Sequence, residues 1–395
     1  MVSRSDLESL KNDLIQIRRW LHRHPEVGFE VANTHDFIQA KCAKLSLVIH
    51  PHVGRNSLVA VLENGAGPIV GLRADMDALP LIENNPTIDY QSENHGAMHA
   101  CGHDAHTAML ITTAQFLATN KSLWNGTVKF IFQEAEEGPH PGGADGIIKS
   151  GLLADVDQFY ALHVSPEFPS GVVAIKSGVA FAAVNTFKIT INGRGGHAAY
   201  PHLCIDPMIM ASEAILGFQT IISRKLPVWE SAVVSVAKFI AGSTHNIIPD
   251  SAYLEGTVRT FSTEARNLVE REMTLILDGV TSGHGGHYHL DFIDEYRSVH
   301  NTKDLVCQLE RVVTTTMGKN HFLELSSPSM GGEDFFRYID LKQGCIAWLG
   351  TAKDEHTRYS LHHPLFNIDE SALIDGVQVL TNLVIDTSQG GKLCY

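Results

Sequence analysis

The chain has 395 residues, 44% of them apolar and 19% charged, a balance that excludes a disordered, collagen-like or small disulfide-stapled protein. Single cores stop growing at roughly 250 to 300 residues, so this length predicts two domains. Thirty Lys and Arg against 44 Asp and Glu give a net charge of −14, a surface that repels phosphate backbones and anionic lipid and so argues against nucleic acid or membrane as partners.

In chain order, Ser5 and Glu8 are spaced as a capping box, and Leu7, Leu10, Leu14, Ile17 and Leu21 recur at three-and-four spacing. The pattern predicts an amphipathic opening helix that stops before Pro25, without the continuous apolar stretch of a signal peptide. No run of 18 apolar residues follows, and the expected location is the cytoplasm. Short apolar runs at Ser57 to Leu62, Ile69 to Leu72, Val128 to Phe132 and Phe159 to Val164 read as strands. Helix-length segments, among them Thr107 to Thr119 and Gly143 to Leu153, separate them. That alternation predicts an α/β sheet with helices on its faces.

Near Val184 the pattern changes to strict alternation, in Phe187, Ile189 and Ile191, again in Leu254, Gly256 and Val258, and again in Tyr288, Leu290 and Phe292. Alternation marks a sheet with one wet face. With helical stretches near Pro207 to Arg224 and Thr263 to Gly279, it predicts an inserted βαββαβ-like unit. After Asn301 the first rhythm resumes in Leu305 to Met317, Cys345 to Leu349 and Ser371 to Ile385. The expected domains are therefore 1–182 with 297–395, and 183–296.

The densest chemical cluster is MHACGHDAHTAML, with His99, Cys101, His103, Asp104 and His106 within eight positions. Cys-x-His can converge a thiolate and a neutral imidazole on one cation, although a buried cysteine in a histidine-rich loop accounts for the segment if it stands alone. Downstream, the apolar strand ending at Gln133 delivers Glu134, Glu136 and Glu137 into a turn. Such strand ends are where open α/β sheets place their sites. His163 is read as closing the strand from Phe159, and the pair His362-His363 precedes the last helix. Singly such histidines are more often structural; jointly these donors suffice for two divalent ions. The tract from Gly283 to His289 is discounted, because its histidines fall on the polar face of a strand without acidic or thiol company. Cys42, Cys204, Cys307, Cys345 and Cys394 are read as space-filling, without disulfides.

At these residues the sequence resembles the M20 family of metal-dependent amidohydrolases, in the branch of hippurate hydrolase, N-acyl-amino-acid deacylases and plant auxin-conjugate hydrolases. The matching segments are RRWLHRHPEVGFE, GLRADMDALPLIE, MHACGHDAHTAML, FIFQEAEEGPHPGGADGIIKSGLL, ALHV, GRGGHAAYPH, THNIIPD, GGEDFF and LHHPLFNIDE, in family order. The resemblance implies a zinc-peptidase-like catalytic domain with an inserted ferredoxin-like lid and dimerisation domain, and a homodimer. It implies that Cys101, His103, Glu137, His163 and His362 bind two divalent ions (Mn, Zn, Co or Ni), with Cys101 shared and Glu136 as general base. His362 is preferred to His363 because the family pattern is His-x-Pro. Asp75 is expected to orient a ligand histidine, His197 to stabilise the oxyanion, and Asn246 and Arg259 to hold a substrate carboxylate. Gly331 and Gly332 are expected to let backbone approach the substrate. Glu134 departs from the usual proline of Gln-Pro-Ala. The implied reaction is hydrolysis of N-acyl-L-amino acids, with a dipeptidase or carboxypeptidase, or a catalytically silent binding homologue, as alternatives. Cys101, where peptidase branches carry a bridging carboxylate, favours the first.

Overall fold

A computed structural model describes residues 1–391; Cys394 lies outside them. The chain divides into two compact units, one formed by residues 1–180, 300–327 and 334 onward, the other by 181–299 and 328–333.

The opening segment is helical from Arg4 to Arg23: an α-helical turn at Arg4–Leu7 passes through a 3-10 turn at Glu8–Leu10 into α1 (Lys11–Arg23). Its capping box is made by Ser3 and Asp6, two residues earlier than the Ser5 and Glu8 of the sequence reading, with the Ser3 N–H donating to Asp6 Oδ2 at 2.8 Å. The apolar stripe still buries Leu7, Leu14, Ile17 and Leu21, but Arg18 and His22 lie buried on the same face. Next come α2 (Ala32–Cys42), the strands β1 (Val48–Val53), β2 (Ser57–Asn64) and β3 (Ile69–Asp75), and α3 (His103–Thr119). After them follow β4 (Gly126–Gln133), α4 (Gly143–Lys149), β5 (Gln158–Pro169) and β6 (Val173–Ile175).

The second unit contains β7 (Ala183–Asn192), the short β8 (Gly196–His197), α5 (Pro207–Thr220), β9 (Ala232–Ala241), β10 (Ile247–Ile248), β11 (Ser251–Thr260), α6 (Thr263–His284) and β12 (His287–Tyr296). Its main sheet is antiparallel, in the order β9-β11-β7-β12. One face packs Phe187, Ile189, Ile191, Leu254 and Val258 against Met210, Phe218, Met273 and Leu277 of the two helices. The alternation in the sequence is thus the alternation of one covered face with one open face. Strand β9 is the member the pattern did not single out, because its burial alternates poorly beyond Val234.

The chain returns with α7 (Lys303–Thr316), β13 (Phe322–Glu324), β14 (Gln343–Ala352) and α8 (Leu373–Ser388). The first unit's sheet has eight strands in the order β1-β2-β4-β3-β5-β14-β6-β13. Its centre, β4-β3-β5-β14, is parallel. Parallel strands are covered on both faces, which is why they read as unbroken apolar runs. Helix α3 is buried almost all round, between β3 and the helices α1 and α8, and so carries alanine, threonine and methionine instead of a polar face. Among the described residues no helix is long and apolar enough to cross a membrane.

Candidate metal centre

The site of the first unit lies at the C-terminal ends of β3 and β4, beside the middle of β5 and at the N-terminus of α3. Gly102 makes this corner possible: it caps α3 in the left-handed region with φ 83°, and a Cβ there would lie 2.2 Å from Val164 Cγ2. Only glycine tolerates both the dihedral and the approach. The turn sets Cys101 just before the helix and His103 at its first position. Both are buried.

Cys101 Sγ lies 3.4 Å from His163 Nε2. The His163 Nδ1–H donates to the Val164 carbonyl at 2.8 Å, which leaves Nε2 with its lone pair. His103 Nδ1 lies 3.3 Å from Asp77 Oδ1, and its Nε2 is buried with no hydrogen-bond partner. His163 stands within β5 and does not close it, since β5 runs on to Pro169; what ends near it is the pairing with β3, at Arg73 and Ala161.

The glutamate pair sits in the turn after β4, where Ala135 adopts φ 49°. Asp77 accepts from the amides of both Glu136 (3.0 Å) and Glu137 (3.1 Å) as well as from His103, so one carboxylate pins both halves of the site. His362, at φ 65°, brings Nε2 to 2.9 Å from Glu137 Oε1, and its own amide donates to the Ala100 carbonyl at 2.8 Å. Left-handed backbone at two non-glycine residues is strain of the kind that gathers at functional sites. His363 faces elsewhere, stacked on Tyr359 with its Nδ1 accepting from the Leu365 amide.

Two triads have ligand atoms all within 4.8 Å of one another and share the thiol: Cys101, His103 and His163, and Cys101, Glu137 and His362. A third joins His103 to Glu136 and Glu137. Burial, with Glu137, Glu136 and Asp75 close by, pushes the Cys101 thiol well above its ordinary range. Burial opposes charge on His103, but Asp75, Asp77 and Glu137 outweigh it and raise the imidazole to about 10. For His163 burial wins, and the ring is held neutral. Cys101 and His103 thus retain protons where cations fit, and the orphaned His103 Nε2 within a mixed S, N, O donor set matches a divalent-ion site.

Several partnerships were not legible in the sequence. Asp75, expected beside a ligand histidine, has Oδ2 3.7 Å from His103 Nε2 and takes its hydrogen bonds from Arg73 Nη1 (2.7 Å) and His106 Nδ1 (2.5 Å), while Asp77 is what hydrogen-bonds His103. Asp104 pairs with Arg18 at 2.9 Å and His22 at 2.7 Å, tying α1 to the start of α3. Their i, i+4 spacing on an apolar stripe was the available signal. His99 is buried with neither ring nitrogen hydrogen-bonded, and burial lowers it to about 3. Glu134, in the place of the family's proline, accepts from the Arg55 and Asn56 amides at 3.0 and 2.8 Å and so clamps the β1–β2 turn to the site turn. Burial lifts the thiol of Cys42 to about 12, and Cys42, Cys101, Cys204 and Cys345 are free thiols.

The second unit holds the remaining residues. His197 pairs with Ile247 in the β8–β10 ribbon, and the Asn246 carbonyl accepts from Ala198, so His197 and Asn246 are neighbours. The Ala199 amide donates to His197 Nδ1 at 3.1 Å, which places the ring proton on the exposed Nε2. Arg259 is on the helix-free face of β11, half-buried rather than exposed, with Nη1 unpartnered. Gly331 and Gly332 have ordinary dihedrals; a Cβ on Gly332 would lie 2.4 Å from Val184 Cγ2 and 3.0 Å from Tyr296 Cδ2, so packing already demands that glycine. His284 and His289 bond Glu213 and Asp291, each at 3.0 Å.

A family profile described as peptidase family M20/M25/M40 matches residues 71–386. An N-acetyl-L-cysteine deacetylase of Bacillus subtilis is 36% identical, over 98% of this chain and 92% of the relative. Thermostable carboxypeptidase 1 of Saccharolobus solfataricus is 33% identical, over 93% and 95%. Among solved structures, a dinuclear metal-binding peptidase of family M20 from Bacillus subtilis superposes with a TM-score of 0.83 at 32% identity, covering 97% of this chain and 99% of that one. With its parallel-centred α/β sheet, its thiol-sharing donor cluster and these near full-length matches, the chain belongs to peptidase family M20/M25/M40 and is a hydrolase of its amidohydrolase branch.

Proposed function

We propose that the protein hydrolyses the amide bond of N-acyl-L-amino acids, releasing a carboxylic acid and a free amino acid. The observation that carries this reading is the Cys101 thiol shared between two ligand triads beside a paired glutamate. Cys101, His103, Glu137, His163 and His362 would hold two divalent ions, whose chemistry is to acidify water and polarise the scissile carbonyl. The chain's residues do the rest. Asp77 fixes the amides of Glu136 and Glu137, so that Glu137 faces His362 while Glu136 takes the proton of the attacking water and returns it to the departing amine nitrogen. His197 presents Nε2–H as a donor for the developing oxyanion. Asn246 and Arg259 would bind the α-carboxylate, for which the unpartnered Arg259 Nη1 is a suitable donor. Gly331 and Gly332 line the substrate's backbone path in this reading.

The second unit acts as lid and dimerisation element, and His197 serves the metal centre of the partner protomer. Carboxypeptidase action is the second reading, favoured by the match to a relative of that name. Amine release is to be measured from acetyl, benzoyl and longer acyl conjugates of several amino acids, and from dipeptides, with Mn²⁺, Zn²⁺, Co²⁺ or Ni²⁺ supplied. Turnover of acyl conjugates above dipeptides is expected. Preference for dipeptides would hand the function to the second reading, and inertness toward both would sink the two together.

A further inference from the structure

Strand β5 outruns β3: their pairing stops at Arg73 and Ala161, three residues short of Val164. Beyond that point the Val164 amide finds its acceptor in His106 Nε2, at 2.9 Å. A nitrogen that accepts an N–H carries no proton, so the His106 proton sits on Nδ1, and that nitrogen faces Asp75 Oδ1 at 2.5 Å. Asp75 is held as an acceptor by Arg73, whose Nη1 donates to Oδ2 at 2.7 Å. Arg73 is itself locked by Gln133 Oε1 at 3.0 Å and Asp334 Oδ1 at 2.9 Å, all of these groups being buried. On the other side of the same residue, the Val164 carbonyl accepts the His163 Nδ1–H at 2.8 Å, and the Val164 side chain fills the space over Gly102. One residue is gripped by its amide, its carbonyl and its side chain: the amide by His106, the carbonyl by His163, and the side chain against the Gly102 turn between Cys101 and His103.

We propose that Asp75 and His106 are positioning residues that set the tautomer and orientation of His163 through the Val164 peptide. This rests on the reading of His163 as a ligand. Neither residue is itself assigned as a ligand, although their polar atoms gather within 4.8 Å of those of His103. Both nitrogens of His106 are committed to hydrogen bonds, and no lone pair remains for a cation. The arrangement is sensitive to a change of one atom. In Asp75→Asn, Arg73 claims the remaining oxygen and the new NH₂ faces His106 Nδ1. That nitrogen must then accept, the ring proton moves to Nε2, and it meets the Val164 N–H head on.

The experiment compares wild type with Asp75→Asn, His106→Leu, His106→Gln and His163→Gln in the full chain. Two readouts are used: ring-nitrogen NMR of ¹⁵N-histidine-labelled metal-free protein, with His163 assigned by its absence from His163→Gln, and titration with Zn²⁺. Wild type is expected to show His163 protonated on Nδ1. Asp75→Asn and His106→Leu are expected to lose that signature and to weaken zinc binding about 10- to 100-fold at unchanged stoichiometry, the usual effect of removing a group that orients a ligand. His106→Gln, which keeps one donor and one acceptor, is expected to recover affinity to within about threefold of wild type. Asp75→Asn changes almost no volume and keeps the test open if His106→Leu does not fold. An unaltered His163 tautomer in both variants overturns the proposal, as does loss of a whole zinc equivalent in His106→Leu, which would make His106 a ligand. Wild-type zinc affinity in His163→Gln is a different result, overturning the ligand reading of His163 on which the proposal stands.

Discussion

Gly102→Ala isolates the geometry that holds Cys101 and His103 together. At φ 83° an L-residue sits in the left-handed region, which costs roughly 1–2 kcal/mol. The added methyl would also meet Val164 Cγ2 at 2.2 Å, and overpacking a filled core costs about 1–3 kcal/mol. The sum is about 2–5 kcal/mol, a fall in Tm on the order of 10 °C for a unit of this size. Gly65→Ala is the control, because Gly65 has φ 78° with nothing within 4 Å of a new Cβ and so carries the dihedral cost alone. Urea and thermal unfolding of metal-free protein should rank Gly102→Ala well below Gly65→Ala. Adding Val164→Ala to the former should recover part of the difference, since it removes the obstructing methyl. Zinc affinity should fall in Gly102→Ala and not in Gly65→Ala. Equal losses of stability in the two single variants would refute the close approach of Val164 to the Cys101–His103 turn.

Cys101→Ala should lower metal content and activity together, and mass spectrometry during turnover should find no thioester on the wild-type thiol; a trapped acyl-cysteine would replace the mechanism. Glu136→Gln should lose at least ~10²-fold in kcat while retaining its metals by elemental analysis, whereas loss of metal would show that Glu136 binds rather than shuttles. Near pH 8 the metal-free protein holds a proton on Cys101, raised well above its usual range, and one on His103, raised to about 10. Cation binding needs both sites deprotonated, so calorimetry in buffers of different ionisation enthalpy should find about two protons released, with affinity rising as pH rises toward 10; a pH-independent affinity would contradict the site. Mixing inactive His197→Ala with inactive Glu136→Gln under subunit exchange should restore up to about a quarter of wild-type activity if His197 acts across the dimer, and restoration of none despite exchange would confine it to its own chain.

What the sequence determined by itself was local and covalent. A period of two in Phe187, Ile189 and Ile191 is enough to mark a strand with one covered face, and unbroken apolar runs such as Val128 to Phe132 mark the doubly covered centre of a parallel sheet. Cys101 next but one to His103, and Glu136 next to Glu137, are bound by the chain to lie close, so these donors were visible before any folding was known. Partnerships across sequence distance were not. That Asp77 and not Asp75 bonds His103, that Asp75 spends its charge on Arg73 and His106, and that Arg18 and His22 turn inward to Asp104 are decided by which helix packs on which strand. Two carboxylates two residues apart look alike as letters; Asp75 ends β3 and Asp77 stands in the turn after it, and that turn sends them to different histidines. His362 and His363 likewise look alike as letters, and the left-handed backbone at His362 turns its ring to Glu137 while His363 stacks on Tyr359. The sharing of Cys101 between two triads is the same kind of fact, since it needs the turn after β4, the middle of β5, one helix N-terminus and a distant loop to meet at one sulfur, and only the tertiary packing brings them there.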